Sequence, residues 1–346
     1  MTILFFHFDG TCNDPEDADR YHDQDVSITN VLKSHLLLGG RLAVDSCTTR
    51  LSSGMMSFYY SGVGTYGSSL TRFFNAGLAV EQGDVADILR GALIDFQTYY
   101  HANISAIVLI GFSRGAALAR RFAALIDAFL DRPIVVEAVM DTVASIGMPN
   151  LDKQRRPTQE VVFEFGGTLP RCVNKALHLL ALDEQRLAFR PTLMNQDDRV
   201  EEVWLSGVHA DIGGGYRHDG LADISLKTFM NWLNITLGRS VYSNAGKIHL
   251  PSKSEVLTLN PNPSGVLHYQ RRCPLWRGLT IAPRHCHVLK QGVPCPDTPP
   301  LWHSTVWMRQ RIHSDYRPLA RCLLTATQWQ LSKSFEMHQR ASEEIV

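Results

Sequence analysis

The amino-acid sequence predicts an α/β protein with a mostly parallel central sheet and helices on both faces of that sheet. Short apolar runs rich in β-branched residues alternate along the chain with longer segments whose apolar residues have helical spacing. The clearest run, residues 104–110, is almost entirely apolar, which is typical of a strand buried on both faces. The order strand, helix, strand indicates right-handed parallel crossovers and an open sheet.

The composition is that of an ordinary globular protein. The 346 residues are 45% apolar and 20% charged, enough for a large core. Lys+Arg and Asp+Glu both number 34, so no overall charge attracts nucleic acid and we expect no such partner. The seven cysteines are scattered without a Cys-x-x-Cys pair, which favours a reducing compartment.

Targeting signals are not evident in the sequence. The N-terminus has no basic segment and its apolar run is too short for a signal peptide. No apolar run reaches transmembrane length. We therefore expect a cytoplasmic protein in the producing cell, which another machine must carry if it acts elsewhere.

The first strand is predicted at residues 3–8 and ends in a loop that starts with Asp9, Gly10 and Thr11. Ligands of open α/β sheets bind at the carboxyl ends of the strands. We expect a backbone N–H near Gly10 or Thr11 to donate to an oxyanion, with Asp9 holding the loop in shape. The alternative is an Asx-type turn without chemistry.

Three elements are predicted between this loop and the apolar run at residues 104–110. They are a capped helix from Thr29, a strand with a Gly-rich turn at residues 57–64, and a long amphipathic helix at residues 77–100. This helix crosses the sheet to reach the apolar run.

The apolar run ends in Gly111-Phe112-Ser113-Arg114-Gly115, and an Ala-, Leu- and Arg-rich helix follows. Gly-x-Ser-x-Gly between a strand and a helix is typical of a nucleophile elbow, because small flanking residues let the strand and helix approach closely. Ser113 is the candidate nucleophile, and the N–H of Arg114 is a candidate oxyanion donor. The alternative is a strand-turn-helix with a purely structural serine.

Asp141 is the candidate acid of a catalytic triad. It follows a strand predicted at residues 133–140, which places it beside Ser113 at the carboxyl edge of the sheet. The alternative is a helix cap. A short strand at residues 161–165 and a helix at residues 173–187 are predicted next.

His209 is the candidate base. It follows a strand predicted at residues 201–208 and precedes a triple-glycine loop that lets the backbone pass close to a site. The chain order Ser, Asp, His is that of the hydrolases with an elbow serine. His218 is an alternative base and Asp211 an alternative acid. An amphipathic helix at residues 221–233 should cover the sheet.

The sequence predicts a core at residues 1–237 and an irregular, proline-rich extension at residues 238–346. Its aromatic residues suggest packing onto the core, with a lipid-accessible surface as the alternative; they are Trp276, Trp302, Trp307 and Tyr316. A zinc site is considered at His285, Cys286, His287 and Cys295. Their spacing matches no standard ligand pair, so we expect ordinary loop residues and neither metal nor cofactor.

Several motifs in chain order resemble one family. They are FDGT at 8–11, YYSGVGT at 59–65, IGFSRGA at 110–116, DTVASIG at 141–147, HLLALDE at 178–184 and WLSGVHADIGGGY at 204–216. Together they are similar to the α/β-hydrolase family of type VI secretion lipase effectors, family one. The resemblance covers most of residues 3–235.

The resemblance implies an α/β-hydrolase fold and phospholipase A-type ester hydrolysis through Ser113, Asp141 and His209, without a cofactor. It implies a phospholipid substrate at a membrane surface, delivery by type VI secretion to the periplasm or membrane of a rival cell, a secretion spike component as partner, and an immunity protein in kin. The alternatives are a housekeeping esterase acting on small soluble esters and a catalytically silent binding scaffold.

Overall fold

The architecture is a nine-stranded, mostly parallel sheet between two layers of helices. The computed structural model describes residues 2–10, 28–41, 48–51, 54–62, 81–144, 168–216, 219–242, 247–249, 256–269, 281–322 and 330–331. The predicted α/β class, with the sheet arrangement of an α/β-hydrolase, is confirmed. Among these residues, no helix is both long and apolar enough to cross a bilayer.

The described strands are β1 (Thr2–Phe8), β2 (Thr48–Arg50), β3 (Met55–Tyr60), β4 (Ile104–Phe112), β5 (Val135–Met140), β6 (Val173–Ala181), β7 (Val200–Leu205), β8 (Lys247–His249), β9 (Val256–Thr258), β10 (His285–Cys286), β11 (Val288–Lys290), β12 (Val293–Cys295), β13 (Leu301–Trp302), β14 (Arg321–Cys322) and β15 (Gln330–Leu331). The central sheet has the order β15-β13-β7-β6-β5-β4-β1-β3-β2. All its neighbours are parallel except β2, which runs antiparallel to β3. The carboxyl ends of β1 and β4 to β7 therefore meet at one edge.

The described helices are α1 (Asn30–Leu37), α2 (Glu81–Tyr99), α3 (Arg114–Ile126), α4 (His209–Gly213), α5 (Gly220–Thr236) and α6 (Ser304–Ile312). The predicted cap of α1 is confirmed, since the Thr29 side chain accepts a hydrogen bond from the N–H of Leu32. The amphipathic helices predicted before β4 and after His209 are confirmed as α2 and α5.

The alternation of β1 shows how the sheet is covered. Ile3 and Phe5 pack in one cluster with residues of α1 and α5, whereas Leu4 and Phe6 pack in the cluster of α2 and α3 on the other face. Each fully buried side chain of this size contributes about 1.5–3 kcal/mol to folding. Both faces of a strand are apolar because both are covered, which is the pattern that predicted the fold.

One predicted element is wrong. Residues 173–187 were expected to form a helix, but they contain strand β6, and a 3₁₀ turn at Leu187–Phe189 begins only at the end of this range. β6 lies between β5 and β7 at the centre of the sheet, where most of its side chains are buried. The strand predicted at residues 161–165 lies outside the described residues.

Several aromatic residues of the proposed extension contact strands of the central sheet. Trp302 and Tyr316 are buried in a third apolar cluster with Leu180 and Trp204 of β6 and β7, and the half-buried Trp307 packs against this cluster. β13 also pairs with β7, so the extension adds strands to the central sheet. Trp276 lies outside the described residues, and the boundary between residues 237 and 238 stays a prediction.

Candidate active site

The elbow serine lies at the carboxyl end of β4, and its backbone is strained. Ser113 has φ 58° and ψ −122°, a conformation that non-glycine residues rarely adopt. Two hydrogen bonds hold it: its N–H donates to Met140 O at 3.0 Å, and the N–H of Val143 donates to Ser113 O at 3.1 Å. The serine is therefore tied to the end of the neighbouring strand β5.

The two glycines of the elbow allow close backbone approach. A Cβ on Gly115 would lie 2.1 Å from the carbonyl oxygen of Phe8, and one on Gly111 would lie 2.6 Å from Cα of Ala116. Both distances are far shorter than real Cβ contacts, and the opposing atoms belong to the backbone. α3 can therefore start directly at the ends of β1 and β4 only with glycine at both positions.

Asp141 follows β5 directly and is fully buried. Its φ is 42°, in the left-handed region, and its N–H donates to Leu179 O at 2.7 Å. The N–H of Ala181 donates to Oδ1 of Asp141 at 3.1 Å. β6 thus fixes both the backbone and the carboxylate of this residue, and residues 142–144, the described residues that follow it, are not helical.

His209 is the first residue of α4 and is buried. Its Nδ1 lies 2.5 Å from Oδ2 of Asp141, and its backbone N–H donates to Oε2 of Glu184 at 3.2 Å. The rings of Phe112 and Phe189 pack against the imidazole with centroids 4.6 and 4.8 Å away. These contacts fix the plane of the ring.

The structure joins two of the three predicted triad residues directly. Asp141 and His209 are hydrogen-bonded, whereas the described side chains of Ser113 and His209 are not joined by a hydrogen bond. The His209 ring nevertheless packs against Phe112, the neighbour of Ser113 in the chain. The serine and the imidazole therefore lie at the same sheet edge.

Burial and charge set the protonation of this pair. Burial alone would raise the pKa of Asp141, but the charge of Arg284 and hydrogen bonds from His209 and Arg284 hold this pKa well below its usual range. Burial lowers the pKa of His209 below its ordinary value, against the opposing effect of Asp141. At neutral pH the aspartate is ionised and the imidazole is neutral, as a general base requires.

Sequence reasoning missed Arg284. It comes from the extension, it is buried, and its Nη1 and Nη2 donate to Oδ1 and Oδ2 of Asp141 at 2.6 and 2.8 Å. The same two nitrogens donate to the carbonyl oxygens of Ala181 and Phe189. No local pattern marks it, because it is 143 residues from its partner in a proline-rich stretch.

The loop after β1 differs from the expectation. Asp9 does hold this loop, since its Oδ2 accepts hydrogen bonds from Thr29 Oγ1 at 2.7 Å and from the Tyr59 hydroxyl at 2.6 Å. The N–H of Gly10, however, donates to Oδ1 of Asp9 at 2.6 Å. It is therefore already engaged, and Gly10 is corrected as an oxyanion donor. Thr11 lies outside the described residues.

Asp211 has a different partner from the one that a triad acid needs. Its Oδ1 lies 2.6 Å from Nδ1 of His268, and its Oδ2 accepts the N–H of Val208 at 2.9 Å. It thus supports the turn that precedes His209 without touching the His209 ring. The alternative base His218 lies outside the described residues.

Asp183 and Glu184 also brace the base, a role that the sequence did not indicate. Asp183 accepts hydrogen bonds from the N–H of Gly207 and the Tyr316 hydroxyl, both at 2.8 Å. Glu184 accepts from the N–H of His209 and pairs with Arg186 at 2.8 Å. The two residues shortly after β6 therefore hold the backbone of the turn that leads into His209.

The described residues contain no group of three or more His, Cys, Asp or Glu side chains that could hold a metal ion. Of the four residues considered for zinc, Cys286 is buried and accepts a hydrogen bond from Nε1 of Trp302.

Comparison with known families assigns the chain. The sequence model of the type VI secretion system phospholipase effector Tle1-like catalytic domain matches residues 3–129 and 130–232. The chain belongs to this family. The match covers the core with β1 to β7 and the elbow, and it ends inside α5. No curated protein matches this Tle1-like chain.

Solved structures with similarity to the Tle1-like chain include three of note. An uncharacterised protein from Pseudomonas aeruginosa is 19% identical, with 66% of this chain and 45% of that chain covered and a TM-score of 0.39. The Tle1 effector bound to the VgrG spike is 22% identical, with 62% and 51% covered and a TM-score of 0.36. A metagenome-derived lipolytic enzyme is 12% identical, with 68% and 93% covered and a TM-score of 0.36. The chain spans about half the length of the first two structures.

Proposed function

We propose that this chain is a serine hydrolase of phospholipase A type, which cleaves carboxylic ester bonds of phospholipids through Ser113, His209 and Asp141. The observation that carries the proposal is the 2.5 Å hydrogen bond between Nδ1 of His209 and Asp141, beside a strained elbow serine. Membership of the Tle1-like phospholipase effectors supports a lipid as substrate.

In the proposed first step, the Ser113 hydroxyl attacks the ester carbonyl carbon and its proton passes to Nε2 of His209. Nδ1–H of His209 donates to Asp141, which leaves Nε2 as the basic nitrogen. Hydrogen bonds of a catalytic serine are often long without substrate and tighten when substrate binds. We expect the Ser113 hydroxyl to approach Nε2 of His209 when substrate binds.

The tetrahedral intermediate carries a negative oxygen, which requires N–H donors. The N–H of Arg114 is the first proposed donor, because Arg114 directly follows the elbow serine at the start of α3, and the N–H of the residue after the nucleophile faces the oxyanion in a nucleophile elbow. The second is the N–H of Thr11. Collapse of the intermediate passes the proton from His209 to the leaving alcohol and leaves an acyl-Ser113, which water hydrolyses with His209 again acting as base.

The test is hydrolysis of a fluorogenic phospholipid by the purified chain and by Ser113→Ala. We expect Ser113→Ala to abolish hydrolysis while circular dichroism stays unchanged. Ser105→Ala is the matched control, since Ser105 lies at the other end of β4 and donates to Thr2 O. Full activity of Ser113→Ala would refute the proposal.

The same assay separates the alternative functions. A clear preference for soluble short-chain esters over phospholipid vesicles would favour a housekeeping esterase. A binding scaffold without catalysis predicts that Ser113 does not react with a fluorophosphonate probe. Labelling that is lost in Ser113→Ala but kept in Ser105→Ala would exclude the scaffold.

The proposal also covers how the protein reaches its target cell and how its activity is blocked in kin. We propose that a type VI secretion system carries the protein, with a spike component as partner, to the periplasm or membrane of a rival cell, and that an immunity protein protects kin. The structure of a Tle1 effector bound to the VgrG spike supports such a partner. Toxicity of the chain directed to the periplasm, absent with Ser113→Ala, is the expected result.

A further inference from the structure

The Asp141 carboxylate is saturated by hydrogen bonds, and half of them come from one residue. Oδ1 accepts from Nη1 of Arg284 at 2.6 Å and from Ala181 N at 3.1 Å. Oδ2 accepts from Nη2 of Arg284 at 2.8 Å and from His209 at 2.5 Å. A bidentate arginine fixes both the position and the plane of a carboxylate.

Arg284 is itself held rigidly. Its Nη1 donates to Ala181 O at 3.0 Å and its Nη2 to Phe189 O at 2.5 Å. Strand β14 adds a backbone hydrogen bond, from Arg321 N to Arg284 O at 2.7 Å. The guanidinium therefore has one position, between the end of β6, the turn at Leu187–Phe189 and the triad acid.

We propose that Arg284 is a positioning residue of the triad, which orients Asp141 for His209 and, through its charge, sets the pH below which the site loses activity. The inference rests on the proposed function and deepens it. It means that the catalytic core alone, without the segment around residue 284, lacks one part of its site.

The effect of the charge follows from electrostatics. A lone buried carboxylate would stabilise the protonated imidazole strongly, whereas a carboxylate paired with a guanidinium stabilises it less. Burial is the main cause that lowers the pKa of His209, and Arg284 adds to this lowering while Asp141 and Glu184 oppose it. Arg284 therefore keeps His209 neutral, and hence basic, in more acidic solution.

Among the described residues, no other positively charged group is placed to orient Asp141 and to lower the pKa of His209 in the same way. The charged and titratable groups that face the pair are Glu184 with its partner Arg186, Arg284, and His178 with its partner Glu202, on the β6 side. The charge of Arg186 is engaged by the two oxygens of Glu184. Only Arg284 among them combines a permanent positive charge with direct contact to Asp141.

The experiment compares kcat/KM against pH for the whole chain and for Arg284→Met, Arg284→Lys and Arg309→Met. Arg309 is the matched control, because it is another buried arginine of the extension, bonded to the carbonyl oxygens of Pro263 and Gly265. For Arg284→Met we expect kcat at the plateau to fall about 100-fold, since small misplacements of catalytic groups cost that much. The acid limb of its profile should move to higher pH.

Arg284→Lys keeps the positive charge but cannot form the two parallel hydrogen bonds to the Asp141 carboxylate. We expect its acid limb to stay with that of the wild type while its kcat falls. Arg309→Met should keep the wild-type acid limb. An equal fractional loss at every pH in Arg284→Met would overturn the proposal, and so would an unchanged kcat in Arg284→Lys, which remains decisive if Arg284→Met does not fold.

A second readout does not depend on activity. The ¹³C signal of the His209 imidazole, assigned by its loss in His209→Gln, is titrated in Ser113→Ala with and without Arg284→Met. A midpoint at higher pH without Arg284 supports the proposal, and an unmoved midpoint contradicts it. If wild type and Ser113→Ala hydrolyse lipid equally, the proposed function fails while this titration still decides the role of Arg284.

Discussion

Two residues of the candidate site hold backbone conformations that cost free energy. Ser113 at φ 58° and Asp141 at φ 42° are two of the three described non-glycine residues with positive φ; the third, Gln291, lies between β11 and β12. Such conformations cost about 1–3 kcal/mol each and persist where surrounding contacts determine them. The hydrogen bonds among β4, β5 and β6 supply those contacts, which makes function the natural reason for the strain.

The choice of acid gives a prediction about two aspartates. We expect Asp141→Asn to lower kcat by about 10⁴-fold, the loss typical when the residue that orients a triad histidine loses its charge. Asp211→Asn should lower kcat far less, because Asp211 pairs with His268, and should instead reduce the free energy of unfolding by about 1–3 kcal/mol. Steady-state kinetics and urea unfolding of both variants measure this. A larger kcat loss in Asp211→Asn would overturn the assignment of Asp141.

The pH dependence of the wild type is a second prediction. His209 must be neutral to act as base, and burial lowers its pKa below the ordinary value of 6.5. Activity should therefore rise through an acid limb whose midpoint lies below pH 6.5. The profile of kcat/KM on a soluble ester measures it, and a midpoint above 6.5 would contradict the burial of the imidazole.

Residues that follow a strand could be predicted, and residues that act across the chain could not. Ser113, Asp141 and His209 each come directly after an apolar run or shortly after it, so their shared sheet edge follows from the pattern. Arg284 and the engaged N–H of Gly10 depend on tertiary hydrogen bonds between specific atoms. A pattern of hydrophobic spacing does not encode such bonds.

At the scale of elements, the start of α3 has no room for a side chain at Gly115. Gly115→Ala should lower the free energy of unfolding by at least about 3 kcal/mol or prevent folding, because its Cβ would overlap the backbone of Phe8. Gly91→Ala is the matched control: it lies in α2, its Cβ would be 4.0 Å from the Tyr60 ring, and alanine there should stabilise by about 0.5–1 kcal/mol. Urea unfolding compares them, and equal effects would refute the packing argument.

The wrong prediction of a helix where the structure has strand β6 also has a physical cause. Its segment is rich in alanine and leucine, which are strong helix formers, and both of its faces are covered, so the polar alternation of a strand is missing. Burial between β5 and β7 outweighs the helix propensity. The two-residue strands β13 and β15 are likewise too short to produce any periodic pattern.

At the scale of the whole molecule, buried histidines link stability to pH. Burial lowers the pKa of His35 and of His303 to about 4, and it holds the pKa of His7 well below the ordinary 6.5. In the unfolded chain these side chains return to their ordinary value. Between pH 4 and 6.5 the unfolded state therefore binds more protons than the folded state, and the free energy of unfolding falls as the pH is lowered through this range.

Four of the described carboxyl groups act in the opposite direction, because burial raises the pKa of Asp95, Asp183, Asp211 and Asp219. Burial raises the pKa of Asp183 to about 6, so the folded state binds a proton there that the unfolded state releases above pH 3.8. The buried histidines His7, His35, His209 and His303 are also four, but three of them have a pKa far below 6.5, whereas Asp183 is the carboxyl group whose pKa is raised by a comparable amount. The histidines should therefore decide the sign of the slope.

The last prediction is that urea unfolding at pH 4 to 7 gives a free energy of unfolding that rises with pH up to about 6.5. Each proton of difference contributes a slope of about 1.4 kcal/mol per pH unit. The Nε2 atom of His303, the residue before α6, lies 3.2 Å from Thr228 Oγ1 in α5. Glutamine at this position can still form a hydrogen bond to Thr228, but it does not take up a proton. His303→Gln should therefore make the free energy of unfolding less dependent on pH. His101→Gln, on the exposed loop before β4, should leave this dependence unchanged. A slope of opposite sign would mean that buried carboxyl groups, rather than buried imidazoles, govern the acid stability of the fold.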